Sequence, residues 1–150
     1  MADRYRCSNF VYDTLMMALN AGFEKLLFVG HLGKLVKVAG GIKNTHSKYG
    51  DHRMEILSDA VSKFAQGESL AEIKRQLDEC VMTDEALRII DEFGYKEKVF
   101  CHIAECIKEN MESWAEGRIT CEIIIFADGY RLLTETSGAK DMLFEIQGED

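Results

Sequence analysis

Two apolar runs stand far apart in this 150-residue chain, and nearly everything between them repeats at helical spacing. The first is Leu26-Leu27-Phe28-Val29-Gly30, and the second runs from Ile119 to Phe126 around Ile123-Ile124-Ile125. Each is continuous enough to read as a strand buried on both faces, the kind found in parallel sheets. The pattern predicts an α/β fold of three layers with a mostly parallel, Rossmann-like sheet. Its core strands are expected at Lys25 to Gly30 and near Ile119 to Phe126, joined by a helix-rich excursion. Asp128-Gly129 is a turn signal, and Arg131-Leu132-Leu133-Thr134 after it is a candidate third strand. Two or three strands do not make a stable sheet of this kind alone. Either the helices supply most of the core or the chain is part of a larger fold.

The helical patterns are distinct. Ser8 reads as an N-cap, followed by Val11, Leu15, Ala18 and Leu19, with Gly22 as a stop. Leu32, Leu35, Val36 and Ala39 share one face of a helix ended by Gly40-Gly41, with Lys34 and Lys37 on another face one turn apart. Met54, Leu57, Val61 and Phe64 mark the next helix. Ser69-Leu70-Ala71-Glu72 reads as a capping box. Thr83 starts a helix carrying Leu87, Ile90 and Phe93, and Gly94 stops it. Val99, Ile103, Ile107, Met111 and Trp114 mark the longest, closed by Gly117. The tail from Gly148 is expected to fray. With no proline, no repeat and no low-complexity tract, the chain reads as one domain over 1–150.

Composition excludes several classes. No apolar run approaches the length of a bilayer span, and the N-terminus lacks a signal-peptide pattern, so a cytoplasmic setting is expected. The five cysteines are scattered without a CxxC pair and read as reduced thiols. A pI near 5.0 argues against general nucleic-acid binding.

Against a net charge of -8, the stretch from His31 to Arg53 is basic. Lys34, Lys37, Lys43, Lys48 and Arg53 face only Asp51, and His31, His46 and His52 fall in the same stretch. A positive island on a negative chain suits an anionic ligand. It directly follows the first strand, where Gly30 and Gly33 permit close backbone approach and the next helix offers its N-terminus. Gly30-x-x-Gly33-Lys34 matches neither a dinucleotide fingerprint nor a P-loop. It reads equally as a tight strand–helix turn. Asn44-Thr45-His46-Ser47 is a polar loop; caps account for Ser47 or Asp51, but not for His46. His46 and His52 with Asp51 make a poorer metal set than a polar binding loop, so no metal is expected.

These residues together resemble a known family. Gly22-Phe23, then Gly30-His31-x-Gly33-Lys34-Leu35-x-Lys37-x-Ala39-x-Gly41, then Asn44-Thr45-His46-Ser47 and Asp51-x-Arg53-Met54-Glu55 are similar to the cobalt-precorrin-5B (C1)-methyltransferase family of anaerobic cobalamin biosynthesis. Cys7-Ser8-Asn9-Phe10 and Glu122-Ile123-Ile124-Ile125-Phe126 fit as well. The resemblance covers the C-terminal part of that family, whose N-terminal domain is expected to be absent here.

The resemblance implies methyl transfer from S-adenosylmethionine to ring carbon C1 of a cobalt-containing tetrapyrrole rich in carboxylates. The macrocycle is the nucleophile, so the protein mainly holds two ligands in line, shielded from water. It implies cofactor contacts from Gly30, His31, Gly33, Ser8 and Asn9. Substrate contacts fall to Lys34, Lys37, Asn44, Thr45, His46, Ser47 and Arg53, with Arg53 best shaped for a bidentate grip. His31 and His46 are the candidates for proton transfer or for orienting a carboxylate. Nucleic acid and membrane are not expected partners. The chain alone is expected to be a poor methyltransferase. Two other readings stand beside this one. The first is a non-catalytic domain that binds anions or corrinoids; the second is a phosphate-ligand enzyme using the Gly33-Lys34 turn.

Overall fold

A computed structural model describes residues 6–46 and 51–148. The elements run α1 Val11–Asn20, β1 Lys25–His31, α2 Leu32–Ala39, α3 Arg53–Val61, α4 Gly67–Asp78, α5 Thr83–Glu92, α6 Lys96–Trp114, β2 Thr120–Ala127, β3 Arg131–Glu135 and α7 Ala139–Gly148. The strand order is β1-β2-β3. The two apolar runs are adjacent and parallel, in register from Lys25 opposite Thr120 to His31 opposite Phe126. Both strands therefore end at one edge, and the intervening helices form the crossover.

The sheet is mixed rather than mostly parallel. β3 pairs antiparallel with β2, because only the three-residue turn Asp128–Tyr130 separates them and so short a connection cannot return a strand in parallel. Gly129 takes φ 77° in that turn. The fold is α/β, with a small three-stranded mixed sheet and seven helices among the described residues.

Alternation places Phe28 on one face of β1 and Ile123 and Ile125 on the matching face of β2, where all three are buried. Val29, on the other face, is half exposed. The core is otherwise helical. Leu32, Leu35, Val36 and Val38 are fully buried, because α2 packs against the sheet, α3 and α6 together. A helix enclosed on several sides has no broad solvent face. Lys37, expected on a face away from the apolar stripe, is therefore buried and only 6% exposed.

Two local expectations are also corrected. Ser8 is not an N-cap. It sits in a turn at φ 49°, and Phe10 occupies the cap position of α1 without a side-chain bond. Ser69 lies inside α4, which begins at Gly67, so no capping box forms; Glu72 instead accepts from Arg75 and Gln76. The helix α7 was not foreseen, although Ala139 and Met142 bury one side of it.

Candidate functional site

His31 ends β1 and caps α2. Its Nδ1 accepts the Gly33 backbone N–H at 3.0 Å, satisfying one of the orphan donors of the first helical turn. A backbone N–H can only donate, so Nδ1 carries the lone pair and Nε2 carries the proton. That Nε2–H points at Asp128 Oδ1, 2.8 Å away. Both ring nitrogens are therefore engaged.

Gly33 is the close-approach position. A methyl built on it would lie 3.3 Å from His31 Nδ1, 3.5 Å from Thr83 Oγ1 and 3.6 Å from Arg53 Nη1. The carboxyl edge of the parallel pair thus gathers groups from α2, α3, α5 and the β2–β3 turn. Gly30 packs against α2. The space beside its Cα is filled by Leu35, 3.3 Å from a Cβ built there, so Gly30 serves strand–helix packing.

Arg53 makes a bidentate pair with Asp51, Nε to Oδ1 and Nη2 to Oδ2, both at 2.9 Å, and Nη2 also donates to the Val81 carbonyl. Hydrogen bonding from Arg53 holds the Asp51 carboxyl down at about 2, with a further contribution from the charge of Lys37. Nη1 has no hydrogen-bond partner among the described residues and faces Gly33.

Further along α2, Lys37 donates from Nζ to the carbonyl of Thr45 at 3.1 Å. Thr45 is itself buried; its N–H donates to the Asn9 carbonyl at 3.0 Å and its hydroxyl to Asn9 Oδ1 at 3.2 Å. Asn9, Lys37 and Thr45 are thus a knot that fixes the polar loop against α2. Asn44 Oδ1 accepts the His46 N–H at 3.0 Å, and His46 is exposed. Lys34 is half-buried and forms no hydrogen bond or ion pair among the described residues. Its charge acts on Cys7, whose thiol burial nonetheless pushes up. Lys43 lies over the Tyr12 ring at 4.2 Å. Ser47 and Lys48 lie outside the described residues.

Sequence reasoning missed two members of the cluster, Asp84 and Asp128. Among the described residues, His31, Asp84 and Asp128 form the one group of His, Cys, Asp or Glu whose ligand atoms all lie within 4.8 Å. The ring orientation does not suit an ion, because Nε2 presents a hydrogen rather than a lone pair. The place of Asp128 immediately after a parallel strand was the available signal. His46, His52 and Asp51 do not come together as a metal group.

What fold and cluster define is an α/β domain whose carboxyl strand edge gathers Gly33, Arg53 and a histidine–carboxylate network. The relatives agree in kind. Residues 44–137 match the family model described as CbiD, C-terminal domain. The chain is 38% identical over 144 residues to the cobalt-precorrin-5B C(1)-methyltransferase of Alkaliphilus metalliredigens, covering 96% of this chain and 37% of that protein. It is 33% identical over 141 residues to that of Clostridioides difficile (92% and 34%) and 40% identical over 118 residues to that of Methanocaldococcus jannaschii (78% and 32%). No solved structure matches the chain. The chain belongs to the CbiD family of cobalt-precorrin-5B C(1)-methyltransferases. It spans about 37% of the length of the first of these relatives. Among the described residues no helix is long and apolar enough to cross a membrane.

Proposed function

We propose that this chain is the ligand-binding C-terminal part of a methyltransferase that moves a methyl group from S-adenosylmethionine to C1 of cobalt-precorrin-5B. The observation that carries the reading is the start of α2, where Lys34 forms no ion pair among the described residues and Arg53, paired with Asp51, turns Nη1 toward Gly33. One cation without a counter-ion and one guanidinium N–H still free beside a glycine suit the peripheral carboxylates of a tetrapyrrole. The donor set at the β2–β3 turn fits the nucleoside part of the methyl donor. Asp128 offers a carboxylate to ribose hydroxyls, and Tyr130 offers an aromatic face that is 87% exposed. Tyr130 also holds a left-handed φ of 58°, a strained conformation that is common where function fixes a side chain. When bound, S-adenosylmethionine supplies an electrophilic methyl group. The residues of the chain orient the two ligands and exclude water. Asn9, Lys37 and Thr45 contribute by fixing the loop that carries Asn44 and His46.

The test is equilibrium binding of a carboxylate-rich corrinoid such as cobyrinic acid at two salt concentrations, to the wild type and to Lys34→Glu. Affinity should fall by at least tenfold in the variant (about 1.4 kcal/mol) and fall with salt in the wild type. Equal affinities would remove Lys34 from the site. Labelled methyl transfer then separates catalysis from binding: binding without turnover would identify a corrinoid-holding domain.

A further inference from the structure

Three side chains from three different elements line the space that Gly33 leaves at the start of α2. They are His31 Nδ1, Thr83 Oγ1 and Arg53 Nη1, at 3.3, 3.5 and 3.6 Å from a Cβ built there. Only His31 Nδ1 is fully engaged, by the Gly33 N–H. Arg53 commits Nε and Nη2 to Asp51 and the Val81 carbonyl and keeps its Nη1 hydrogens. Thr83 is the member that packing does not explain. It is the first residue of α5 and only 4% exposed, yet its hydroxyl makes no hydrogen bond among the described residues. Leaving such a group unsatisfied is unfavourable, and a valine would fill the same niche without that penalty. Nor is the oxygen sealed off. Asp84 Oδ1 is the one side-chain oxygen or nitrogen among the described residues that is both unpartnered and closed to solvent, so the Thr83 oxygen, equally unpartnered, keeps an opening, and it faces the space beside Gly33.

We infer that Thr83 is a ligand-binding residue: its hydroxyl and the free Nη1–H of Arg53 hold one carboxylate of the ligand over Gly33, at the positive end of α2. The Thr83 O–H donates to one carboxylate oxygen, and Arg53 adds a charge-assisted bond. The first turn of the eight-residue helix α2 contributes its partial positive charge from below. Glycine at position 33 then has a physical reason, because any side chain would occupy the place of the carboxylate. The acids nearby do not oppose this. Asp51 is paired with Arg53. Asp128 meets His31 at Nε2, whereas the cradle is edged by Nδ1, so the imidazole ring stands between them. The identity of the ligand as a corrinoid carboxylate rests on the reading above; the carboxylate cradle itself does not.

The experiment has two arms. In the first, acetate is titrated into the chain at fixed ionic strength while NMR follows the Gly33 amide and the Thr83 methyl. Wild type should show saturable shifts. Thr83→Val should bind acetate several-fold more weakly, Thr83→Ser should restore most of the loss, and Gly33→Ala, whose methyl fills the cradle, should show no saturable shift. Thermal melts should place Thr83→Val at or above wild type, because no hydrogen bond is lost. No saturable shift in wild type, or equal acetate affinity in Thr83→Val, would overturn the inference. A marked fall in Tm in Thr83→Val would also overturn it, by showing that the hydroxyl is bonded within the fold. In the second arm, cobyrinic acid is compared with cobinamide, a corrinoid whose peripheral carboxylates are amides. Thr83→Val should lose several-fold affinity for cobyrinic acid and none for cobinamide. Equal losses for both would overturn the carboxylate assignment. If neither corrinoid binds the wild type, the corrinoid reading fails and the acetate arm alone decides whether Thr83 holds a carboxylate.

Discussion

Reversing the charge of Lys37 should unfold part of this protein, whereas the same change one turn earlier should not. Lys37 is 6% exposed and its ammonium donates to the carbonyl of Thr45, a residue that is itself buried. Losing a charged hydrogen bond of this kind removes about 1.5–3 kcal/mol. A glutamate adds more, because its carboxylate would face a carbonyl oxygen with Asp51 nearby, where the Lys37 charge is now felt. Breaking a buried charged contact and leaving a charge unpaired typically costs about 3–5 kcal/mol. For a chain of this size each kcal/mol moves the melting temperature by about 2–4 °C, so Lys37→Glu should lower Tm by roughly 10 °C or more. Lys37→Met, which keeps the stem and relieves the buried charge, should cost about 1–2 kcal/mol. Lys34→Glu should stay within about 0.5 kcal/mol. Thermal melts give the totals. Hydrogen exchange of the Thr45 amide, which donates to Asn9, shows whether the loop is released. Lys37→Glu melting alongside Lys34→Glu, with Thr45 still protected, would refute the buried-donor role and return Lys37 to the surface.

Three further outcomes can be checked with ordinary stability measurements. Asp51 is depressed to about 2, so its contribution is present above 3.8 and lost as pH falls through about 2; the slope of stability over that window should flatten in Asp51→Asn, by less than about 1 kcal/mol because the side chain is half exposed. Lys108 bonds Glu122, Glu112 and the Cys121 carbonyl, and Glu122 is buried, so Lys108→Met should cost about 3–5 kcal/mol in denaturant titrations and Glu122→Gln added to it should recover part. Gly117 closes α6 at φ 74°, and Gly117→Ala should lower stability by about 1 kcal/mol.

Much of this fold was legible because its signals are local. Leu26 to Gly30, Ile123 to Ile125 and the helices from Met54 to Trp114 each carry their own periodicity, and the stops at Gly94 and Gly117 fall where left-handed backbone is needed. The carboxyl edge of β1 was legible too, through Gly33, Lys34 and Arg53. What was not legible depends on neighbours far along the chain. The burial of Lys37 follows from α2 being enclosed by α3, α6 and the sheet, which no helical wheel reports. Asp84 joins the site only because the excursion brings the start of α5 beside the β2–β3 turn. The helix α7 was hidden because Leu143 and Phe144 are exposed, so its apolar residues do not describe one stripe.

His31 links the local and the distant halves of the site, and one substitution separates them. The helix α2 has eight residues, too few to persist without a cap and tertiary packing. Asparagine is a better general N-cap than histidine and can accept the Gly33 N–H. Its short side chain does not reach across to Asp128, which His31 Nε2 contacts at 2.8 Å. His31→Asn should therefore keep thermal stability within about 1 kcal/mol of wild type. It should also release Asp128 from its fixed donor, and carboxyl NMR should find the Asp128 midpoint raised toward the ordinary range. Gly33 amide protection should persist through the same measurement. If His31 were only a cap, Asp128 would titrate unchanged in His31→Asn. If it were only a partner for Asp128, the Gly33 amide would keep its protection in His31→Ala as well. The geometry predicts neither, because the proton that reaches Asp128 is on Nε2 only while Gly33 occupies Nδ1.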